Sequence, residues 1–393
     1  MSVETLASDV PQGASFDAWR VPLLSREQFM TLGRGGSAPA GEPRWSNEQL
    51  RYLASFGLLA PSSHNSVPQR FRLAAAGGRI DVAIDRRAVL PASDPSGRQG
   101  LVSVGCCLTN LELAGAALGV GVRARVLPEA ANALPLGAAE PAAASLVDVL
   151  SLELVRLGSP GLDGEWLSLL REHKVVRAEY DRRIPLPVAL ARRLGQVARD
   201  ASPSVELHLL DDPSRLRALG RFQEQADRFV FEMGPFTREL GDWLLPNDVE
   251  AGVGMRGREF GFDDRFAEHV HQALRAQSLL PDQLAGFAKG GRMGVESSSA
   301  VAVISVEQET PAAWIDAGRA AHRVSLECQR EGFCSAYHAS LTEVEWARQM
   351  LAASVLHTTR TPAVLLRIGK PKRPDDLARP HASRPPLNDV LFD

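Results

Sequence analysis

The chain has 393 residues, of which 45% are hydrophobic, so it is long enough for two domains or one large double domain with a sizeable core. Its formal net charge of −3 provides no broad basic field, which argues against nucleic acid as a partner. Four cysteines in so long a chain exclude a disulfide framework. The adjacent pair Cys106 and Cys107 is interpreted as buried small side chains in a reducing compartment, with a redox dithiol as the alternative.

The first 45 residues mix glycine, proline and serine with a few apolar positions, and we interpret them as an extended N-terminal arm with a short helix. Residues 1–17 are polar and acidic, which argues against a signal peptide. No uninterrupted apolar run is long enough to span a bilayer. We therefore predict a cytoplasmic protein with no membrane partner. The glycines at 33–36 do not form a phosphate loop, because no strand precedes them and no Lys-Ser/Thr follows.

The first half then alternates helix and strand signals. The predicted elements are a helix over 45–59 capped by Ser46, strands over 71–76 and 79–84, a helix over 101–118 ended by Gly119, a strand over 122–126, a loop over 128–141 and a strand over 145–154. Between the first helix and the first strand lies a corner, residues 61–68, that is rich in serine and bracketed by two prolines.

The second half contains further helices and strands around one long irregular stretch. The predicted elements are helices over 166–177 and 186–198, a strand over 205–210, a helix over 213–231, a strand over 300–306, helices over 314–330 and 341–351, and a strand over 363–368. The stretch 231–294 is predicted to be an irregular, partly helical insertion ending in the hinge-like glycines of residues 289–294. It is either a lid over a site or a peripheral helical insertion.

Two helical segments match in register. The first runs from Gly105 to Gly119 and the second from Gly318 to Gly332, with the same spacing between the glycines. Unless this match is a coincidence, the chain holds two copies of one α+β unit that imitate a homodimer. We predict an arm over 1–45, a first unit over 46–155 and a second over 156–393. The corner has no counterpart at 198–205, so a site built from both units forms once.

The corner supplies hydroxyls, an amide and backbone N–H groups that suit a ring with many acceptors, although an ordinary polar turn has the same composition. Its sequence, Ala-Pro-Ser-x-x-Asn-x-x-Pro over 60–68, resembles the flavin-ring loop of the nitroreductase family. Over roughly 45–390 the chain resembles the fused, single-chain Acg-like FMN-binding members of that family. The matching pieces, in the same order and spacing, are 90–98, 105–119, 314–319, 331–333 and 365–369.

The resemblance implies a fold of two fused nitroreductase-like units, each a sheet flanked by helices, that form a pseudo-dimer around one FMN. The implied flavin-ring residues are Pro61, Ser62, Ser63 and Asn65, the implied phosphate ligands are Lys174, Arg177 and Arg384, and the implied backbone donors near the ring are Ser335, Ala336 and Tyr337. Two departures stand out. Val175 replaces the family's phosphate-binding hydroxyl, and Val67-Pro68-Gln69 replaces Gln-Pro-Trp in the wall of the substrate pocket.

The resemblance further implies an FMN-dependent oxidoreductase that transfers hydride to or from a small organic substrate, with NAD(P)H as a possible electron donor. Such a reaction requires no catalytic side chain. The candidates are His64, Tyr337 and His338, although a hydrogen-bonded loop histidine is the more ordinary explanation of His64 and of His338. Metal binding is not expected, because His269 and His271 lack an acidic partner at ligand spacing. The alternatives are a protein that binds or sequesters FMN with little turnover and a homologue without cofactor. A homo-oligomer is possible.

Overall fold

The structure is a computed structural model that describes residues 21–33, 45–133 and 145–393. Most of the predicted N-terminal arm and part of the predicted loop over 128–141 lie outside these residues. The elements of the first half are α1 (Arg26–Thr31), α2 (Asn47–Leu58), β1 (Gln69–Ala74), β2 (Arg79–Asp85), α3 (Arg98–Leu118), β3 (Val120–Val126) and β4 (Leu146–Arg156). Ser46 accepts the Gln49 N–H as the N-cap of α2, and Gly119 ends α3 at a φ of 79°. Both predicted boundaries are confirmed.

The second half is longer and more helical. Its elements are α4 (Glu165–Glu172), α5 (Val188–Ala201), β5 (Val205–Leu210), α6 (Pro213–Phe231), α7 (Gly234–Trp243), β6 (Leu244–Leu245), β7 (Met255–Arg256), α8 (Asp264–Arg275), α9 (Pro281–Glu296), β8 (Ala300–Val306), α10 (Pro311–Arg330), β9 (Cys334–Tyr337), α11 (Ser340–Glu343), α12 (Glu345–Met350) and β10 (Thr361–Gly369). A single π-helical turn, Leu351–Leu356, follows α12.

The two halves share one strand order. The first sheet has the order β1-β2-β4-β3 and the second β5-β8-β10-β9, and every neighbouring pair in both sheets is antiparallel. In each half the long helix, α3 or α10, lies in sequence between the second and third strands. The α+β class predicted from the sequence is confirmed. The two glycine-bounded segments with matching spacing belong to α3 and α10, which occupy equivalent positions in the two halves.

Helices α3 and α10 pack against each other at those glycines. A Cβ atom added to Gly105 would lie 2.0 Å from the Ile315 carbonyl oxygen, and one added to Gly318 would lie 2.0 Å from the Val102 carbonyl oxygen. The contact is therefore reciprocal and leaves no room for any other residue type. By length and composition α3 could cross a membrane, but most of it is buried in this fold. Its apolar side chains pack within the main core.

The outer faces of the two sheets differ. On the first sheet, arginines and aspartates pair across strands, as where Arg70 Nη2 lies 3.0 Å from Asp85 Oδ2. On the second sheet the outer side chains are apolar and pack with residues of α6 and α9 in a separate core that includes Leu216, Val295, Val301, Val303 and Leu365. Helices α6 and α9 therefore cover a sheet face that the first half leaves to charged side chains.

Three predictions about this half were wrong. Residues 289–294 do not form a hinge, because they lie inside α9, where Gly291 and Gly294 let the helix approach Asp227 and His338. The helix predicted over 166–177 ends at Glu172, because the next residues extend along β9 and the Val176 N–H donates to the Ser335 carbonyl at 3.0 Å. The helix predicted over 341–351 is split into α11 and α12.

The C-terminal tail of the second half crosses to the first sheet. Leu391 forms a parallel bridge with Phe71 on the edge strand β1, and the Phe392 N–H donates to the Phe71 carbonyl at 3.0 Å. The Arg72 guanidinium lies over the Phe392 ring, 4.4 Å from its centroid. The tail thus covers part of an edge that would otherwise expose unpaired backbone groups, and it carries residues 380–384 to the corner.

Candidate functional site

The corner between α2 and β1 has an unusual backbone. His64, Asn65 and Val67 have φ values of 50°, 54° and 49°, in the left-handed region that residues other than glycine rarely adopt. The Ser62 hydroxyl accepts the Val67 N–H at 3.0 Å and helps to hold this conformation. Such a conformation costs free energy, about 1–3 kcal/mol per residue, and is concentrated at binding and catalytic sites. The corner is therefore the first indication of a functional site.

A pocket opens beside the corner where four segments meet. These segments are the corner itself, the stretch that follows α4, the insertion near β7, and the C-terminal residues 380–384. The pocket is lined by Leu59, Pro61, Ser62, Asn65, Arg171, His173, Lys174, Val175, Arg177, Met255, Glu259, Pro380, His381, Ala382 and Arg384. Six of the ten residues implied as FMN ligands are among them, namely Pro61, Ser62, Asn65, Lys174, Arg177 and Arg384. Segments that are distant in sequence thus form one site.

Asn65 and Arg384 are bonded to each other at the centre of this junction. Arg384 Nη1 donates to Asn65 Oδ1 at 2.5 Å, and Asn65 Nδ2 donates to the carbonyls of Gly254 and Ser383 at 2.9 and 3.0 Å. The remaining Arg384 donors reach the carbonyls at the end of α2, with Nε 2.9 Å from Leu58 O. Nη2 donates to the next two carbonyls at 2.9 and 3.1 Å. Arg384 therefore caps a helix C-terminus here.

The other two predicted phosphate ligands, Lys174 and Arg177, differ in whether their N–H donors already have acceptors within the protein. Lys174 Nζ donates to the carbonyls of Leu377 and, at 2.9 Å, Arg379. The Arg177 guanidinium lies over the Phe260 ring, 4.9 Å from its centroid, and makes no hydrogen bond or ion pair with the residues that the structure describes. Burial lowers the pKa of Arg177, which the charge of Glu259 opposes. Arg177 is therefore the predicted cation whose donors remain available to an anion.

The histidines of the region are neutral at physiological pH. Burial lowers the pKa of His173 to about 4 and that of His381 to about 2, and the nearby Arg384 charge adds to both shifts. Burial and the Arg177 charge lower the pKa of His64 to about 4. Burial, with Arg367 and Arg177, lowers that of His338 to about 3. The positive charge of the site thus resides on lysine and arginine.

Ser335, Ala336 and Tyr337 lie on β9, behind the residues that line the pocket. The Ser335 hydroxyl lies 2.5 Å from that of Ser325, and Ser325 lies 2.8 Å from His173 Nε2. The Tyr337 hydroxyl lies 4.0 Å from Cys106 Sγ in the interior. His322 is also interior, 2.8 Å from Asn110 Oδ1, as expected for a packed polar residue. The hydrogen bonds from Ser335 to His173 connect β9 with the pocket wall.

Ser63 leads away from the pocket into a buried polar chain. Its hydroxyl donates to Gln99 Oε1, and Gln99 Nε2 donates to the carboxylate of Glu343, the last residue of α11. Burial raises the pKa of Glu343 to about 8, while Gln99 and Arg98 oppose the shift. The side chain of the predicted flavin-ring residue Ser63 is thereby fixed against the second half.

The cysteines show no feature of a redox pair. All four are free, and burial raises the pKa of the Cys106 thiol to about 12 and that of Cys334 to about 11. Their thiolates are strongly disfavoured at neutral pH, which supports the interpretation as buried small side chains. Within the described residues no group of three His, Cys, Asp or Glu side chains has a geometry that could hold a metal ion.

Among the lining residues with polar, charged or sulfur-containing side chains, sequence reasoning did not identify five. Arg171 and His173 had a weak signal, because they flank Lys174 in the basic stretch. Met255, Glu259 and His381 had none, since only the path of the insertion and of the tail brings them to the corner. The missed residues are Arg171, His173, Met255, Glu259 and His381.

No protein family and no curated protein matches the chain. Solved structures do match it. The FMN-dependent nitroreductase NfnB from Mycobacterium smegmatis in complex with NADPH shares 14% identity, with 58% of this chain and 96% of that chain covered and a TM-score of 0.39. A nitroreductase with bound FMN from Bacteroides fragilis shares 13%, with 52% and 87% covered and a TM-score of 0.32.

An FMN-dependent nitroreductase from Clostridium difficile shares 13% identity, with 53% of this chain and 88% of that chain covered and a TM-score of 0.32. These proteins are nitroreductases, the family that the sequence resembles. All three TM-scores are below 0.5.

Proposed function

We propose that the chain is an FMN-dependent oxidoreductase of the nitroreductase type, in which two units, residues 46–155 and 156–393, share one cofactor site. The observation that carries this proposal is the pocket at their junction. The first unit contributes the strained corner around Asn65, and the second contributes the stretch 171–177 and the tail with Arg384. The equal strand order of the two sheets supports the pseudo-dimer.

The charge of the pocket fits an anionic cofactor. Arg171, Lys174, Arg177 and Arg384 line it together with a single described carboxylate, Glu259, although the whole chain is acidic. Arg177, with its donors available, is the residue that would hold the phosphate most directly, and Lys174 and Arg171 would add to the positive field. The corner would hold the ring, with Pro61 and Ser62 on the pocket side. When bound, FMN supplies two-electron chemistry as hydride transfer.

One FMN per chain is the expected stoichiometry, because the turn between α5 and β5 has three residues where the corner between α2 and β1 has ten. This stoichiometry is measured by titrating the purified apoprotein with FMN and recording the flavin fluorescence. Two flavins per polypeptide would refute the shared site, and a colourless protein that FMN cannot reconstitute would refute the cofactor.

Arg177→Ala is expected to weaken FMN binding about ten-fold or more, because a charge-assisted contact with a dianion contributes about 1.5–3 kcal/mol. Riboflavin, which lacks the phosphate, is expected to bind the variant and the parent equally. Arg183→Ala, at an exposed pair with Asp181, is the matched control and should change neither affinity. Equal loss of both flavins in Arg177→Ala would place the residue elsewhere than at the phosphate.

The insertion is proposed to act as a lid over the site. Gly254 exchanges two hydrogen bonds with Asn65, and Gly252 packs so closely that an added Cβ would lie 2.4 Å from Pro385 Cα. We expect residues 231–294, and most of all 249–260, to exchange amide hydrogens faster than α3 and α10 and to become protected when FMN binds. Protection that is the same with and without FMN would leave the insertion a structural role only.

Turnover is tested by anaerobic mixing with NADH or NADPH. Bleaching of the flavin absorbance is expected for a reductase. A protein that retains FMN but is bleached by neither nucleotide and by no candidate substrate would be a flavin-binding protein instead.

A further inference from the structure

Glu259 is a buried carboxylate in the wall of the cationic pocket. Its Oε1 atom accepts the Arg256 N–H at 3.1 Å, and its Oε2 atom accepts no hydrogen bond from the described residues. Only 7% of the residue is exposed. Arg256 is itself buried and fixes the loop by donating from Nε to the Val249 carbonyl at 2.9 Å. The contacts of its own loop therefore hold Glu259 in the pocket, unlike a flexible side chain on the surface.

The charges around Glu259 come from three different segments. Arg177 follows α4, Arg256 lies on the insertion, and Arg384 lies on the C-terminal tail; the positive charge of each favours the ionised carboxylate. Burial opposes them and raises the pKa of Glu259 above its ordinary value. The other titratable side chains lining the pocket are Arg171, His173, Lys174 and His381. The Glu259 carboxylate therefore lies in the positive potential of the same arginines that would attract a phosphate.

We propose that Glu259 is a resident competitor for the phosphate of the cofactor, so that entry of the phosphate is coupled to protonation of this carboxylate. The proposal rests on the proposed function of the same pocket. A dianion placed among these arginines repels an ionised Glu259, because the interaction is weakly screened inside a protein. The bound protein therefore holds more protons than the empty protein over part of the pH range.

The sign of the effect follows from linkage. A phosphate raises the pKa of Glu259 further, so between the empty-state and bound-state pKa values the affinity falls as pH rises, by up to about ten-fold per pH unit. Below the empty-state pKa the carboxyl is neutral in both states and the coupling disappears. The phosphate of FMN titrates as well, but this contribution is common to the parent and to a Glu259 variant and cancels in their ratio.

The experiment compares the parent with Glu259→Gln, whose amide oxygen can still accept the Arg256 N–H. FMN affinity is measured by fluorescence from acidic to mildly alkaline pH, because burial raises the pKa of Glu259 above its ordinary value. Glu259→Gln is expected to bind FMN about ten-fold more tightly at the upper end and equally at the lower end. Riboflavin should bind both proteins equally. Glu250→Gln, an exposed carboxylate on the same loop, is the control and should match the parent.

Two outcomes would overturn the inference: equal FMN affinity of the parent and Glu259→Gln at the upper pH, or equal tightening for FMN and riboflavin, which would indicate a general opening of the pocket. If the parent binds neither flavin, the proposed function fails and inorganic phosphate becomes the probe, read by thermal shift. Tighter phosphate binding by Glu259→Gln would then uphold the role of Glu259, and unchanged phosphate binding would overturn it.

Discussion

Gly105→Ala and Gly318→Ala are each expected to destabilise the protein by roughly 3 kcal/mol or more. Each added methyl group would lie 2.0 Å from a carbonyl oxygen of the facing helix, so α3 and α10 must separate. Backbone atoms cannot rotate away as a flexible side chain can, and the core on both sides of the crossing would be opened. The gain in helix propensity, about 1 kcal/mol from glycine to alanine, is too small to compensate.

Urea denaturation followed by circular dichroism measures this effect. Gly290→Ala is the matched control, because Gly290 also lies inside a helix but a Cβ there would meet no atom within 4 Å. The control is expected to be neutral or stabilising. The near-equivalence of the two halves further predicts similar losses for Gly105→Ala and Gly318→Ala. A loss confined to one of them would show that the two helices do not share the contact equally.

Arg384→Ala is expected to reduce both the stability of the empty protein and its retention of FMN. The side chain is buried, and its removal leaves the carbonyls of Leu58, Leu59 and Ala60 at the end of α2 without donors, at a cost of roughly 3 kcal/mol or more. The same change removes the donor to Asn65 Oδ1 and so loosens the corner, and FMN retention should fall about ten-fold or more. Burial lowers the pKa of Arg384 to about 10, so the guanidinium remains charged at neutral pH.

Two measurements distinguish the role of Arg384 as the C-terminal cap of α2 from a direct contact with the phosphate. Thermal unfolding of the apoprotein reports the cap alone, and flavin titration reports both. Arg384→Lys keeps the positive charge, but its three donors sit on one nitrogen and cannot reach both the three carbonyls and Asn65 Oδ1 as the planar guanidinium does. We expect it to be destabilised almost as much as Arg384→Ala. An Arg384→Ala apoprotein of unchanged stability with weaker FMN binding would assign the residue to the phosphate, and unchanged FMN binding would remove it from the site.

The local signals in the sequence were sufficient for most of the fold. The serine before α2 and the glycine after α3 determine their own helix ends through short-range hydrogen bonds, so these boundaries could be read directly. The equal glycine spacing also pointed to two elements that meet in space. The stretch 173–177 was predicted as helix because its extended form depends on β9, a partner more than 150 residues away that local patterns cannot represent.

The sequence indicated which segments contribute to the candidate site, but not which hydrogen bonds their side chains form. Six of the ten residues that the resemblance selected line one pocket. The resemblance did not indicate that the Arg384 guanidinium faces the end of α2, since a guanidinium takes whichever acceptors the tertiary packing presents. Glu259 carried no signal at all, because the insertion has no regular pattern that relates it to the corner.

The covering of β1 by the C-terminal tail has a consequence for synthesis of the chain. Arg384 is separated from Asn65 by 319 residues, and at translation rates of about 5–20 residues per second roughly 15 to 65 s pass between their polymerisation. During that interval the corner lacks its cap, and the outer strand of the first sheet lacks the tail. A chain without the tail is therefore exposed to aggregation through that edge, because the backbone groups of β1 that the tail covers are then unpaired.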